Sequence, residues 1–230
     1  LPNLFESVPQ EFREDSASIG RSMGHDFRSA VGDEKGNLLW TCHNYYRQYR
    51  YSMDDDMLRQ RLYPLLRRAV NFHLHLLREG SDGKLHLPAT ISPEYGSFRQ
   101  LVVEDCNYDL FLLRWGLLTL LEIVKRLELE DMQENKWREV LSRLTDPPFD
   151  ETGYLIGRGV RMEHGHRHYS HMLGVSPLHI VDCENPSNRQ MIYTSLKHWF
   201  YMEGDLRGFT FSGASSIFSA IGDGDHALSC

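Results

Sequence analysis

The sequence contains few cysteines, and none of them is paired in a Cys-x-x-Cys motif. The four that occur are far apart in the chain, at Cys42, Cys106, Cys183 and Cys230. This spacing argues against a zinc knuckle and against a small scaffold held together by many disulfides, and it leaves the redox compartment undecided.

Long uninterrupted apolar runs are also missing. The most apolar stretch, residues 110–127, is broken by Arg114, Glu122 and Lys125, so we do not expect it to span a membrane. No basic stripe is interleaved with aromatic residues, and the formal net charge is -7. Nucleic acid and anionic membrane surfaces are therefore poor candidate partners. The nucleophile-elbow motif of many serine hydrolases is absent, and no signal peptide is visible.

Helical periodicity is what the sequence has in abundance. Between residues 54 and 77 apolar residues recur every three or four positions, which predicts an amphipathic surface helix capped by Asp54. Residues 107–129 are apolar on nearly every side, which predicts a helix buried on several faces. Further helices are expected at residues 38–51, 132–144, 185–202 and 209–221.

Each of these four helices carries a specific expectation. Residues 38–51 are rich in aromatic side chains and are expected to be internal, and residues 209–221 are expected to form a buried helix in which Gly213 allows close packing. Residues 132–144 are expected to form an amphipathic helix. Its inward-facing side chains are expected to be Met132, Trp137, Val140, Leu141 and Leu144. Asn185 and Pro186 are typical of an N-cap followed by a proline in the first helical position.

Buried and amphipathic helices thus alternate along the chain. This alternation predicts an all-α fold in which a two-layer ring pairs each inner helix with an outer one. Strand signals are confined to residues 84–87 and 153–156. The chain opens on Leu1 and ends where a new helix starts, so we expect both ends to be trimmed from something longer.

A short segment with two prolines, residues 88–95, is called the proline loop below. Pro88 and Pro93 restrict its backbone and hold Glu94 beside Tyr95. A rigid loop of this kind suits a catalytic acid, which must reach the oxygen of a leaving group. Alternatively, Glu94 is a surface residue that caps the next turn or pairs with Arg99.

The second unusual segment, residues 166–171, is called the histidine segment. It places His166, Arg167, His168 and His171 within six residues. Imidazole and guanidinium groups offer hydrogen-bond donors in several directions and suit the hydroxyl groups of a sugar. Two other interpretations remain open: a loop-to-helix junction whose histidines bind the backbone, and a zinc site. Arg167 among the ligands would repel a cation.

Other polar and aromatic residues are weaker candidates. Asp109 opens the buried helix, where it serves either as an acid favoured by the helix dipole or as a ligand for a sugar hydroxyl. Trp40, Tyr45 and Tyr95 could stack on a sugar ring, although aromatic residues at helical spacing more often belong to a core.

These motifs resemble the catalytic domain of glycoside hydrolase family 95, which contains inverting α-L-fucosidases and related α-L-galactosidases. The family has a Ser-Pro-Glu loop, matched by Ser92-Pro93-Glu94, and a His-Arg-His-x-Ser-His-x-x-Gly segment, matched by residues 166–174. Weaker landmarks in the same order are Tyr63-Pro64-Leu65-Leu66, Asp109, Pro177 and Gly222-Asp223-Gly224. The resemblance covers nearly the whole chain.

The resemblance implies an (α/α)6 barrel, or toroid, here as an incomplete ring, with residues 1–230 forming part of one catalytic domain. It implies an enzyme that removes terminal α-L-fucosyl or α-L-galactosyl residues from oligosaccharides or glycans. Glu94 would be the general acid, and sugar contacts would come from the histidine segment, with Asp109, Tyr95 and Trp40 as further candidates. The resemblance implies no metal or other cofactor. It implies a secreted or periplasmic location.

Two family segments that help to activate water do not occur in this sequence. A His-x-Asn-x-Asn strand would precede residue 1, and an Asp-Gly-Asn-Phe-Gly segment would follow residue 230, so the general base is expected outside this chain. The alternative is a catalytically silent helical barrel that binds carbohydrate or acts as a scaffold. Two departures from the family pattern, Asn107-Tyr108-Asp109 and Phe209-Thr210-Phe211, are expected to influence substrate choice.

Overall fold

The chain is mostly helical, which confirms the predicted all-α class. A computed structural model describes residues 8–21, 34–93, 95, 101–202 and 204–230. These residues fall into two compact units. Unit 1 comprises Leu1–Pro88 and Leu112–Thr145, and unit 2 comprises Ala89–Phe111 and Asp146–Cys230.

Unit 1 is built from amphipathic helices and one small hairpin. Its elements are a 3-10 turn (Gln10–Phe12), α1 (Asn37–Ser52), α2 (Asp55–Met57), a π-helical segment (Leu58–Leu62), α3 (Tyr63–Leu76), β1 (Arg78–Glu79), β2 (Leu85–His86) and α5 (Glu134–Arg143). Helix α4 (Asn107–Arg126) begins in unit 2 and continues in unit 1 from Leu112. The strand signal at residues 84–87 corresponds to β2, which pairs antiparallel with β1.

The predicted start of the long amphipathic helix is confirmed. The side chain of Asp54 accepts a hydrogen bond from the backbone N–H of Met57 at 2.9 Å, which satisfies one of the donors left open at a helix start. The helical path then runs through the π-helical segment into α3, whose apolar face buries Leu66, Ala69 and Phe72.

Helix α4 supplies much of the core, as its all-round apolar pattern predicts. Leu112, Leu113, Leu117 and Leu120 are fully buried in it. Close packing also depends on Gly116, since an added Cβ there would lie 2.9 Å from Val70 and 3.1 Å from Leu39. Helices α1, α3 and α4 therefore pack against one another near this glycine.

Two expectations about burial in unit 1 were wrong in part. Met132 was expected to face inward but is 99% exposed, because α5 begins two residues later and Met132 precedes it. Tyr51 in α1 is 84% exposed and Tyr45 is 38% exposed, so this aromatic-rich helix is only partly internal. Its buried side consists of Leu38, Leu39, Cys42, His43 and Tyr49, which recur at helical spacing.

Unit 2 contains the remaining helices and a second hairpin. Its elements are β3 (Phe149–Asp150), β4 (Gly153–Tyr154), a 3-10 turn (Ser170–Met172), α6 (Pro186–Phe200), α7 (Gly208–Ala220) and α8 (Gly224–Ser229). Asn185 caps α6 as predicted, because its side chain accepts hydrogen bonds from the backbone of Ser187 and Asn188.

Helix α7 is less buried than predicted. Gly213 does allow close packing, since a Cβ there would lie 2.1 Å from the ring of Tyr169. In contrast, Phe209 and Phe211 at the start of α7 are 46% and 38% exposed.

Across the residues that the structure describes, helices are too short or too polar to cross a bilayer.

Candidate functional site

Two hydrogen bonds join the proline loop to the histidine segment in unit 2. The hydroxyl groups of Ser92 and Ser170 lie 2.7 Å apart, and both side chains are buried. Nε2 of His166 donates to the carbonyl oxygen of Pro93 at 3.3 Å. The two motifs, which are more than seventy positions apart in the sequence, therefore meet in space.

Tyr95 adds a third connection on the other side of position 94. Its ring stacks on His164 with centroids 4.6 Å apart and meets the edge of His166 at 5.5 Å. Its hydroxyl oxygen accepts a hydrogen bond of 2.6 Å from the backbone of Glu163. Ser92, Pro93 and Tyr95 thus all contact the histidine segment or the residues just before it.

Glu94 and Arg99 lie outside the described residues. The role of Glu94 as an acid, and the alternative in which it pairs with Arg99, therefore stay predictions.

His166 is held by its surroundings as a neutral side chain. Burial lowers the pKa of His166 to about 4, although the bond to Pro93 acts in the opposite direction. Since the Pro93 carbonyl can only accept, the neutral ring carries its proton on Nε2. The indole N–H of Trp199 donates to the carbonyl oxygen of His166 at 2.8 Å and secures the backbone.

His171 lies deeper than His166. Its side chain is 2% exposed, within the 3-10 turn, and the ring of Trp199 meets it edge-on at 6.3 Å. Burial lowers the pKa of His171 to about 3, so it is neutral at physiological pH. Within the described part of the chain, Nδ1 of His171 has no hydrogen-bond partner.

The middle of the histidine segment reaches solvent. Arg167 is exposed, and its carbonyl oxygen accepts a hydrogen bond of 3.1 Å from the hydroxyl of Thr210. His168 is partly exposed, and its ring lies 5.3 Å from that of His166 and 5.4 Å from that of Phe209.

Asp109 supports the base of the proline loop. It is fully buried, and its Oδ2 accepts a hydrogen bond of 2.5 Å from the hydroxyl of Thr90. Thr90 in turn exchanges two backbone hydrogen bonds with Val103, at 3.0 and 2.8 Å. Whether Asp109 also binds a sugar hydroxyl stays a prediction.

Trp40 belongs to α1 in unit 1, where it is partly exposed. The other described candidates, Tyr95, Asp109 and the histidine segment, belong to unit 2. The stacking role of Trp40 stays a prediction.

The contacts of the histidine segment agree with its three interpretations to different degrees. His166 does bind backbone, as the junction interpretation expects, but it binds the backbone of the proline loop. No group of three or more His, Cys, Asp or Glu side chains that could hold a metal ion occurs among the described residues. The sugar-pocket interpretation is consistent with neutral imidazoles that can both donate and accept hydrogen bonds.

Sequence reasoning missed three residues around the histidine segment, His164, Trp199 and His198. His164 stacks on Tyr95, and Trp199 contacts two of the histidines. Phe209, noted in the sequence only as part of a departure from the family pattern, lies beside His168. Nε2 of His198 donates to the carbonyl oxygen of Met162 at 2.8 Å and holds the chain that leads into the segment. His164 was detectable as a fourth histidine two residues before His166, whereas no local signal marks Trp199 or His198.

A similar protein from Arabidopsis thaliana is named Alpha-L-fucosidase 2. It is 25% identical to this chain over 171 residues, which are 69% of this chain and 20% of the relative. The chain thus spans about a fifth of the length of that relative. The sequence model of the glycosyl hydrolase family 95 catalytic domain matches residues 21–230, nearly the whole chain, and the chain therefore belongs to this family of glycoside hydrolases.

Proposed function

We propose that the chain is part of an inverting glycosidase that removes terminal α-L-fucosyl or α-L-galactosyl residues from oligosaccharides or glycans. The observation that supports this proposal is the contact between the two motifs, since both neighbours of Glu94, Pro93 and Tyr95, touch His166. The name of the Arabidopsis relative supports a fucosyl substrate. In this proposal residues 1–230 are part of one catalytic domain with an (α/α)6 barrel.

Glu94 is assigned the role of general acid, which donates a proton to the glycosidic oxygen as the bond to the leaving group breaks. Inversion requires a water molecule, activated by a base, to attack from the opposite face of the sugar. That base is assigned to residues outside this chain. The residues assigned to the substrate are His166, Arg167, His168, His171, Asp109 and Tyr95, and the stacking role of Trp40 stays a separate prediction.

The charge state of the histidines suits an acid at position 94. Neutral imidazoles at His166 and His171 do not favour ionisation of a nearby carboxyl group, whereas imidazolium groups would. A general acid must be protonated when the substrate binds. Buried, neutral histidines therefore meet two requirements, since they bind hydroxyl groups and they leave the acid protonated.

The test is Glu94→Gln in the full-length protein, assayed on two substrates. Loss of the acid should lower kcat for a fucosylated oligosaccharide by about a hundredfold or more, because its leaving group needs a proton. An activated aryl fucoside, which leaves without protonation, should lose much less. Glu163→Gln is the matched control, because this exposed glutamate contacts Tyr95 only through its backbone N–H.

Three outcomes would contradict the proposal. Equal losses on both substrates would exclude the acid role of Glu94. Release of a sugar with retained anomeric configuration, measured by NMR in the first turnovers, would exclude inversion. If the full-length protein binds fucosylated oligosaccharide by calorimetry but releases no sugar, the silent carbohydrate-binding alternative is correct.

A further inference from the structure

An exposed aromatic ring borders the histidine segment. Phe209, the second residue of α7, is 46% exposed, and its ring centroid lies 5.4 Å from those of His168 and Tyr169. The ring is nearly parallel to that of Tyr169, with 21° between the planes. One part of Phe209 therefore packs on Tyr169, and much of the rest faces solvent beside an imidazole.

The position of this ring is set by contacts on the residues around it. The hydroxyl of Thr210 donates to the carbonyl oxygen of Arg167 at 3.1 Å and accepts from the backbone N–H of Arg207 at 3.0 Å. Gly213, one turn later, leaves room for Tyr169 against α7. The start of α7 is thus attached to the histidine segment, and Phe209 needs little ordering before a ligand binds.

An aromatic face beside an imidazole suits a pyranose ring. The C–H groups on one side of a sugar pack against an aromatic ring, while its hydroxyl groups bond to polar side chains around the edge. A protein partner would need a much larger patch, of about 800 Å² on each side. Exposed Arg167 next to His168 disfavours a cationic ligand.

The ring contacts indicate which sugar this would be. His166 touches Pro93 of the proline loop, His168 lies 5.3 Å from His166, and Phe209 lies 5.4 Å from His168. A series of ring contacts thus leads from the proline loop through two imidazoles to Phe209. In the proposed function the sugar that is cleaved is terminal and lies at the proline loop, so a second sugar that reaches Phe209 belongs to the leaving group.

We propose that Phe209, with His168 at its edge, forms a subsite that stacks on the pyranose ring of the leaving group. This assignment rests on the proposed function for the position of the reacting bond. The ability of the ring to bind a sugar can be measured without turnover.

The kinetic test compares substrates that differ only in the leaving group. In the full-length protein, Phe209→Ala should lower kcat/KM for a fucosylated oligosaccharide by about three- to tenfold, mostly through KM. Fucosyl fluoride has no ring in its leaving group, so its kcat/KM should not change. Phe209→Tyr should retain the activity on the oligosaccharide, and Phe209→Leu should not.

Tyr201→Ala is the matched control. Tyr201 is another exposed aromatic residue of unit 2, but among the described residues its ring meets that of Phe200, edge-on at 5.9 Å, and not that of a histidine. It should leave both substrates unaffected. Equal losses on oligosaccharide and fluoride, an equal effect of Tyr201→Ala, or full activity of Phe209→Leu would each overturn the proposal.

Saturation-transfer NMR with lactose separates this proposal from the proposed function. If the full-length protein cleaves no fucoside but binds lactose, and Phe209→Ala abolishes that binding, then the subsite stands and the glycosidase assignment fails. If lactose binds equally to the wild type and to Phe209→Ala, or binds to neither, then the subsite is excluded even when turnover is observed. Thermal unfolding of each variant confirms that it is folded.

Discussion

The side-chain hydroxyl groups of Ser92 and Ser170 share a buried hydrogen bond of 2.7 Å across 78 positions of sequence. Ser92 lies two residues before Glu94, and Ser170 lies between His168 and His171. This bond therefore fixes the distance between the proline loop and the histidine segment. Both ends are nearly inaccessible to water, so neither hydroxyl can find a replacement partner in solvent when the other is removed.

Removing either hydroxyl should destabilise the protein. Ser92→Ala should lower the free energy of unfolding by about 1 to 3 kcal/mol, because the buried hydroxyl of Ser170 loses its partner. Ser170→Ala should cost less, because Ser92 keeps its hydrogen bond with the Cys106 thiol. The double variant should lose less than the sum of the two, since both variants remove the same bond. Urea denaturation of the two single variants and the double variant measures these losses. Ser229→Ala, at an exposed serine, is the control. Additive losses would mean that the bond contributes no coupling.

The buried histidines should make stability depend on pH. An unfolded histidine titrates near pH ~6.5, whereas burial lowers the pKa of His166 to about 4 and that of His171 to about 3. Below about pH 6.5 the unfolded chain binds more protons than the folded one. The stabilising contribution is therefore complete above that pH and is lost as the pH falls toward the folded values.

For His171 this loss should be about 2 kcal/mol between about pH 7 and about pH 5. His171→Asn should be less stable at neutral pH but should show a smaller decrease on acidification. His179→Asn is the control, because His179 is exposed and has a positive φ of 50°, which asparagine tolerates. Urea denaturation at both pH values checks this, and an unchanged decrease in His171→Asn would contradict it.

The bond between Thr90 and Asp109 should also matter for stability. Thr90→Val keeps the shape of the side chain but removes the hydroxyl that donates to a fully buried carboxylate. The expected loss is about 1 to 3 kcal/mol, and Thr90→Ser should recover most of it. Thr194→Val, on the partly exposed face of α6, should change the stability by less than about 0.5 kcal/mol. Equal effects of the two valine variants would exclude a specific role for Thr90.

Gly213 should be intolerant of even the smallest side chain. A Cβ there would lie 2.1 Å from Cε1 of Tyr169, so Gly213→Ala must displace Tyr169 or α7, at a cost of about 1 to 3 kcal/mol. At Gly208, the first residue of α7, no heavy atom of the described chain lies within 4 Å of an added Cβ. Gly208→Ala should therefore leave the thermal midpoint nearly unchanged, and a comparable decrease in both variants would contradict this reasoning.

Much of the secondary structure was predictable because its signals are local. Asp54 and Asn185 mark helix starts through bonds to backbone groups two or three residues away, and both caps are confirmed. The apolar pattern of α4 also predicted its burial correctly. The exposure of Met132 was not predictable from periodicity, because the spacing continues smoothly across a helix boundary that lies two residues later.

The candidate site was predictable as two motifs but not as a set of contacts. The residue types in the proline loop and the histidine segment indicated polar chemistry, and the resemblance indicated the family. The partners Trp199 and Phe209 come from α6 and α7, and nothing in their local spacing distinguishes them from core aromatics. Of the two, Trp199 is fully buried and Phe209 is half exposed.

The amino-acid sequence alone determined which segments are helical, where several helices begin and which family the motifs resemble, since hydrophobic period and capping act over a few residues. Only the tertiary structure decided that Ser92 meets Ser170, that His166 and His171 are neutral, and that Phe209 presents its ring beside His168. The physical reason is that solvation and hydrogen bonding of a side chain depend on everything packed around it. Those neighbours come from distant parts of the chain, and no local pattern encodes them.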